Sequence, residues 1–171
     1  MQQILISEAE IKKRIRELAA QIDLDYLGKE IALVCVLKGS VIFMADLIRE
    51  IQTPLSYDFI FLSSYEGKHS SNCLRLEKDL SASLEGLHVL VVEDILDSGF
   101  TSEFLRERIL GENPASLKMC VLLRRKDTAG RLEADYVGFE IGTEYVVGYG
   151  MDYHQKYRQL KDLYILTGEE L

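Results

Sequence analysis

The chain has 171 residues, of which 47% are hydrophobic and 28% charged, and its formal net charge at pH 7 is −8. This length and composition predict one domain over residues 1–171 with a substantial core. The acidic balance argues against a broad nucleic-acid surface, because phosphate-backbone binding needs a basic face. The apolar runs are too short to cross a membrane, and Met1–Ile4 does not begin a signal-peptide pattern. We therefore expect a cytoplasmic protein that binds neither nucleic acid nor membrane.

Helices and strands alternate through the first half of the chain. Ser7 and Glu10 form a capping-box pattern, which starts an amphipathic helix. The predicted elements are a helix over Glu8–Asp23, a strand over Ile31–Leu37, a helix over Val41–Ile51 and a strand over Leu55–Leu62. The polar stretch Ser63–Asn72 predicts a mobile loop, and Cys73–Glu77 a strand on its far side, so that the two form a long flap.

The second half continues the alternation. The predicted elements are a strand over His88–Val92, a helix over Ser102–Leu110, a strand over Leu117–Leu123, a basic loop over Arg124–Asp127, and short strands over Asp135–Ile141 and Tyr145–Val147. This order is typical of βαβ units, so the predicted fold class is α/β, with a twisted, mostly parallel sheet flanked by helices. In such sheets ligands bind at the carboxyl ends of the strands.

The stretch Val89–Thr101 carries the strongest functional signal. Four apolar residues predict a buried strand, and Glu93, Asp94 and Asp97 then crowd three like charges where we expect that strand to end. The turn from Asp97 to Thr101 offers backbone N–H groups and hydroxyls just before a helix, which suits a phosphate. Acids beside an anion cradle indicate a sugar phosphate bound together with a divalent cation.

This stretch resembles the phosphoribosyl-pyrophosphate (PRPP) motif of type I phosphoribosyltransferases. Val36–Ser40 resembles their pyrophosphate loop and Ser63–Tyr65 the start of their flap. Val137–Ile141 and Val146–Tyr153, with Arg158, resemble the C-terminal block of hypoxanthine-guanine phosphoribosyltransferases. Because these segments follow the family's order, the chain is identified as a short, bacterial-type member. The resemblance implies that N- and C-terminal segments form a small hood over the sheet.

The implied reaction is purine salvage. The 5-phosphoribosyl group of PRPP would pass to hypoxanthine or guanine, giving IMP or GMP and pyrophosphate, with Mg²⁺ assisting pyrophosphate departure. Asp97 would be the general acid/base at the purine's imidazole nitrogen. The resemblance also implies a homodimer or homotetramer with small-molecule substrates.

The resemblance implies a role for each site residue. Ribose and 5′-phosphate contacts would come from Glu93, Asp94, Asp97, Ser98, Gly99, Phe100 and Thr101, with the Phe100 side chain pointing away from the phosphate. Ser102 is read as a helix N-cap. Pyrophosphate would meet Lys38, Gly39 and Arg158, with Leu37–Lys38 a possible cis peptide. Ser64 and Tyr65 would belong to the flap, and Glu93, Asp94 and Asp152 to the metal site.

The purine side departs from the family pattern. Its implied residues are Arg125, Lys126, Tyr145, Val146 and Asp152, but the family usually has lysine where this chain has Arg125. Whether Arg125 or Lys126 faces the base, and so the choice among hypoxanthine, guanine and xanthine, stays open. Two alternatives remain: an RNA-binding regulator on the same fold, disfavoured by the low pI, and a transferase acting on a pyrimidine or another base.

Overall fold

The computed structural model describes residues 3–65, 73–97, 99–126 and 133–167. Along the chain the elements are β1 (Gln3–Ile6), α1 (Glu8–Asp25), β2 (Ile31–Leu37), α2 (Val41–Glu50), β3 (Leu55–Tyr65), β4 (Cys73–Lys78), β5 (His88–Leu96), α3 (Phe100–Leu110), β6 (Ser116–Arg125), β7 (Tyr136–Ile141), β8 (Val146–Val147) and β9 (Leu163–Ile165). The predicted capping box is present, since Ser7 and Glu10 exchange bonds between side chain and backbone. No helix in these ranges is long and apolar enough to cross a membrane.

Six strands form the central sheet in the order β4-β3-β2-β5-β6-β7. Every neighbouring pair is parallel except β3 and β4, which form an antiparallel hairpin at one edge. Crossover helices therefore cover both faces, as parallel strands require. The predicted α/β class with a mostly parallel sheet is confirmed.

Side-chain alternation along β2 divides the core between the two faces of the sheet. Leu33 and Cys35 pack in one hydrophobic cluster with α1 and α2, whereas Val34 and Val36 pack in a second cluster with α3. Strand β2 is buried on both sides, which explains its unbroken apolar sequence. This rigid centre fixes the positions of the turns that leave β2 and β5.

A small second sheet, in the order β1-β9-β8, joins the N- and C-terminal segments and forms the predicted hood. Strand β1 was not predicted from the sequence, because four residues are too few to show a period. The loop that follows β8 comes close to the turn after β2 at Gly150, which has a φ of +100°. A Cβ there would lie 2.1 Å from the carbonyl oxygen of Gly39.

Several predicted boundaries were wrong, and at the carboxyl ends of β3, β5 and β6 the observed strands are longer than predicted. Strand β5 continues to Leu96, so Glu93 and Asp94 lie inside it rather than beyond its end; both β5 and β6 keep pairing until Leu96 meets Arg124. Arg124 and Arg125 therefore belong to β6, not to a basic loop. Ser63–Tyr65 pair with β4 instead of opening the loop, whose residues 66–72 lie outside the described ranges. Hydrogen-bond pairing with a neighbouring strand extends these strands through polar residues, which the apolar pattern of the sequence does not include.

Candidate active site

The carboxyl ends of the parallel strands surround a cavity of about 380 Å³. It brings together the turn after β2, the end of β5, the start of α3 and the loop that precedes β9. The predicted site residues that line it are Lys38, Gly39, Glu93, Asp94, Asp97, Gly99, Thr101, Asp152 and Arg158. Phe100 is 41% exposed and lies outside this lining, as expected for a side chain that points away from a bound phosphate.

Two acids line this cavity, the buried Glu93 and the partly buried Asp94. Glu93 is 4% exposed, and burial beside Asp94 raises the pKa of its carboxyl to about 8. Burial also raises the pKa of Asp94. The Ser102 hydroxyl donates to Glu93 Oε2 at 2.7 Å, so the N-cap interpretation of Ser102 is wrong; the N-cap of α3 is Gly99. Buried like charges are costly, and a bound cation would offset that cost.

The turn after β2 is shaped by Asp94. A Cβ on Gly39 would lie 1.6 Å from Asp94 Oδ2, so no larger residue fits without moving that carboxylate. The preceding peptide bond, Leu37–Lys38, is cis, as the family resemblance implied. The Lys38 ammonium lies 5.6 Å from the Phe61 ring centroid, which places a cation on the cavity wall.

The loop from Gly148 to Arg158 supplies the opposite wall. Arg158 Nη2 pairs with Asp152 Oδ1 at 2.6 Å, and its Nη1 donates to the carbonyl oxygen of Gly150 at 2.7 Å. His154, Gln155 and Tyr157 all have positive φ, a conformation that costs free energy outside glycine. The loop thus holds an acid and a cation side by side in an unusual backbone path.

A second cavity of about 210 Å³ adjoins the first. Its lining comprises Asp94, Ile95, Asp97, Arg125, Tyr145, Val146, Met151 and Asp152, of which Asp94, Ile95, Asp97 and Asp152 also line the first. Of the two candidates that the sequence left open, Arg125 lines this cavity and Lys126 does not. Arg125 Nε lies 2.9 Å from Asp97 Oδ1.

Tyr145 stands at the mouth of the second cavity. It is 43% exposed, its hydroxyl donates to the carbonyl oxygen of Asp152 at 3.3 Å, and its ring meets that of Tyr153 edge-on at 5.7 Å. Tyr145 precedes β8 rather than belonging to a strand, so its ring is not part of the core. An exposed aromatic face beside a cavity suits a planar ligand.

Among the predicted site residues whose side chains the structure describes, Phe100 and Lys126 line neither cavity. Ser98 lies outside the described residues, and Ser64 and Tyr65 are the last residues of β3. The interaction that sequence reasoning missed is the one between Ser102 and Glu93. Nine residues separate the two, and only the strand-turn-helix geometry brings them together, so the sequence carries no direct signal for this contact.

Residues 2–154 match the family model of the phosphoribosyl transferase domain. The hypoxanthine-guanine-xanthine phosphoribosyltransferase of Tritrichomonas foetus is 42% identical over 168 residues, covering 97% of this chain and 92% of that protein. The hypoxanthine-guanine phosphoribosyltransferase of Streptococcus pneumoniae is 41% identical, covering 99% of this chain and 95% of that one. A crystal structure of a hypoxanthine-guanine phosphoribosyltransferase from Bacillus anthracis has 42% identity and a TM-score of 0.92, and covers 96% of this chain and 98% of that one.

Fold and family match together define an α/β transferase with a cavity at the carboxyl rim of a parallel sheet. The chain belongs to the phosphoribosyltransferase family, and within it to the group of the hypoxanthine-guanine phosphoribosyltransferases. The predictions of a type I phosphoribosyltransferase and of purine-salvage phosphoribosyl transfer are confirmed at this level.

Proposed function

We propose that this enzyme transfers the 5-phosphoribosyl group of PRPP to hypoxanthine or guanine, with Asp97 as general acid/base. The observation that carries the proposal is the junction of the two cavities. The larger one is lined by cations, backbone amides and acids, and the smaller one by Tyr145, Val146 and Arg125. Because Asp97 lines both, a donor in one and a base in the other would meet beside its carboxylate.

The larger cavity suits PRPP. Gly99 and Thr101 begin α3, where free backbone N–H groups and the helix dipole favour the 5′-phosphate. Lys38 and Arg158 line the same cavity and supply positive charge for the pyrophosphate. Ser98 is proposed to add its hydroxyl to the phosphate turn, and Ser64 and Tyr65 to cover the site as part of the flap.

Magnesium fits the donor chemistry of this cavity. Asp94 and Asp152 offer carboxylate oxygens, the ligands that Mg²⁺ prefers, and Glu93 lies beneath them. Within the described ranges no three acidic, histidine or cysteine side chains converge on a point that could hold a metal ion. We therefore propose that Mg²⁺ is held by protein carboxylates and substrate oxygens together. When bound, it would neutralise charge on the departing pyrophosphate.

The remaining chemistry falls to Asp97. As the bond between the anomeric carbon and pyrophosphate breaks and the bond to the purine nitrogen forms, the purine loses a proton, which Asp97 accepts. Arg125 provides positive charge beside the 6-oxo group, Val146 offers backbone groups to the ring edge, and Tyr145 stacks on the purine.

A panel of bases tests the proposal. The purified enzyme would be incubated with PRPP and Mg²⁺ and with hypoxanthine, guanine, xanthine, adenine or uracil, while nucleotide and pyrophosphate are measured together. We expect equal amounts of both products with hypoxanthine or guanine and none with uracil. Turnover with no purine base would overturn the proposal. Turnover with uracil alone would favour the pyrimidine alternative.

A further inference from the structure

The end of β6 lies between two loops that leave the neighbouring strands. In register, Arg124 is opposite Leu96 of β5, and Arg125 is opposite Ile141 of β7. The next residues along those neighbours are Asp97 and Gly142. A long side chain at position 125 can therefore reach both the turn that carries Asp97 and the connection between β7 and β8.

The Arg125 side chain contacts both of these segments. Its Nε pairs with Asp97 Oδ1 at 2.9 Å, and its Nη1 donates to the carbonyl oxygens of Gly142 at 2.8 Å and Glu144 at 3.0 Å. The side chain of Arg125 is 18% exposed, whereas that of Asp97 is 63% exposed. A largely buried cation thus anchors a largely exposed carboxylate.

We propose that Arg125 is a positioning residue for the reaction: it holds the Asp97 carboxylate and the Gly142–Glu144 connection in one arrangement, so that the proton acceptor and the base pocket keep a fixed relation. The guanidinium is suited to this task because its donors lie in a rigid plane and can serve a carboxylate and carbonyl groups at once. A lysine has one nitrogen and cannot span the same three acceptors in that plane. This inference rests on the proposed function and adds to it that Arg125 acts through Asp97.

Arg124 provides a matched control. It is the adjacent residue of the same strand, its side chain pairs with Glu140 on β7, and it lines neither cavity. Alternation along the strand places consecutive side chains on opposite faces. Arg124→Lys is therefore expected to change none of the kinetic constants more than twofold.

A double-mutant cycle measured by single-turnover kinetics tests the proposal. We expect Arg125→Lys to slow nucleotide formation at least tenfold, with the KM for PRPP changed less than threefold. In the Asp97→Asn background the same change should slow the reaction less than twofold, because the carboxylate that Arg125 holds is gone. Arg125→Gln, which keeps an amide donor but loses the charge, should repeat this pattern.

Equal losses from Arg125→Lys in the two backgrounds would overturn the proposal, as would an Arg125→Lys enzyme with wild-type rates. The first result would mean that Arg125 acts on the reaction independently of Asp97, and the second that Arg125 has no effect on the rate. Both outcomes presuppose an active wild-type enzyme. Absence of wild-type turnover would instead contradict the proposed function, so the two failures are distinguishable.

Discussion

The two sides of the site are built differently. On the PRPP side, Glu93 and Ser102 are almost completely buried, Asp94 is wedged against Gly39, and Gly39 in turn packs on Gly150. On the base side, Asp97 has a side chain that is 63% exposed and Tyr145 is 43% exposed. The Arg125–Asp97 ion pair and single hydrogen bonds hold the base side, whereas the PRPP side adds close backbone packing to its ion pair and hydrogen bonds.

This difference follows from what each side must recognise. In the proposed reaction, a phosphorylated sugar with a metal would be bound by backbone amides and acids whose positions are fixed by close packing at the strand ends. A flat base would be bound by side chains at the rim. Changes to the PRPP side should therefore disrupt structure and binding together, and changes to the base side should alter rate or selectivity in a folded protein.

The largest expected effect is on the base side, at Asp97. Asp97→Asn removes the proton acceptor and leaves the packed PRPP side untouched, so turnover should fall by about 10²–10⁴-fold, the usual contribution of general acid–base catalysis. The KM for PRPP should change less than threefold. Steady-state kinetics with saturating base checks this. Equal losses in turnover and in PRPP affinity would assign Asp97 a binding role and remove the contrast between the two sides.

On the PRPP side, the corresponding change is Gly39→Ala. The added Cβ would meet Asp94 Oδ2 at 1.6 Å, so the carboxylate or the turn must shift, at a cost of roughly 1–3 kcal/mol in unfolding free energy. We expect a lower stability in urea and a higher KM for PRPP at the same time.

Gly111→Ala is the control for that change. Gly111 caps α3 with a φ of −62°, which any residue adopts, and it lines neither cavity. A Cβ there would lie 3.3 Å from the carbonyl oxygen of Arg108, against 1.6 Å for the contact at Gly39. Its effect should stay within about 1 kcal/mol, close to the usual benefit or cost of exchanging glycine and alanine at a compatible site. Gly39→Ala with unchanged stability and unchanged KM would contradict the close-packed description of the PRPP side.

The same contrast explains what the sequence could predict. Strand β2 was predicted with its observed boundaries, because it is buried on both faces and reads as an apolar run. The PRPP motif was recognisable because its glycine, acids and hydroxyls are contiguous. Strand ends beyond the apolar residues, such as Glu93–Leu96 and Arg124–Arg125, were missed, since the polar side chains there are included by register with a neighbour rather than by their own propensity.

The base side was harder to predict for a physical reason. Consecutive side chains at the end of β6 point to opposite faces of the sheet. Which of Arg125 or Lys126 faces the cavity therefore depends on the register of β6, and a one-residue shift in register reverses the answer. The bonds from Arg125 to Gly142 and Glu144 cross from β6 to the connection after β7, a long-range contact with no local signal. Cytoplasmic location, a single domain and a dimer or tetramer stay predictions, because one chain of this kind does not test them.

A pH series sharpens the description of the buried side. The pKa of Glu93 is raised by burial from 4.5 to about 8, so the folded protein keeps this proton while the unfolded chain releases it near its usual pKa. The contribution of Glu93 to the free energy of unfolding, without ligands, should therefore be greatest at low pH. It should fall between about pH 4.5 and 8, by at most about 1.4 kcal/mol per pH unit. In Glu93→Gln, which mimics the protonated form, the fall should be smaller.

Urea unfolding at several pH values measures this difference. Glu140→Gln is the matched control, because Glu140 is exposed and its pairing with Arg124 lowers the pKa of its carboxyl, away from this pH window. Its pH dependence between pH 5 and 8 should match that of the wild type. A Glu93→Gln curve parallel to the wild-type curve would mean that Glu93 is ionised in the folded protein and that the PRPP side is less buried than the geometry indicates.

The smallest expected effect is at Tyr145, on the base side. Tyr145→Leu removes the aromatic face and its edge-on contact with Tyr153, which should raise the KM for the base by the equivalent of about 0.5–1.5 kcal/mol without changing stability in urea appreciably. Tyr145→Phe keeps the ring and loses only the long hydroxyl bond to Asp152, so its KM should stay near the wild-type value. Base titrations at saturating PRPP compare the two. If Tyr145→Phe raised the KM as much as Tyr145→Leu, base binding would depend on the hydrogen bond from the Tyr145 hydroxyl rather than on ring stacking. The base side would then be held by contacts to the backbone, as the PRPP side is.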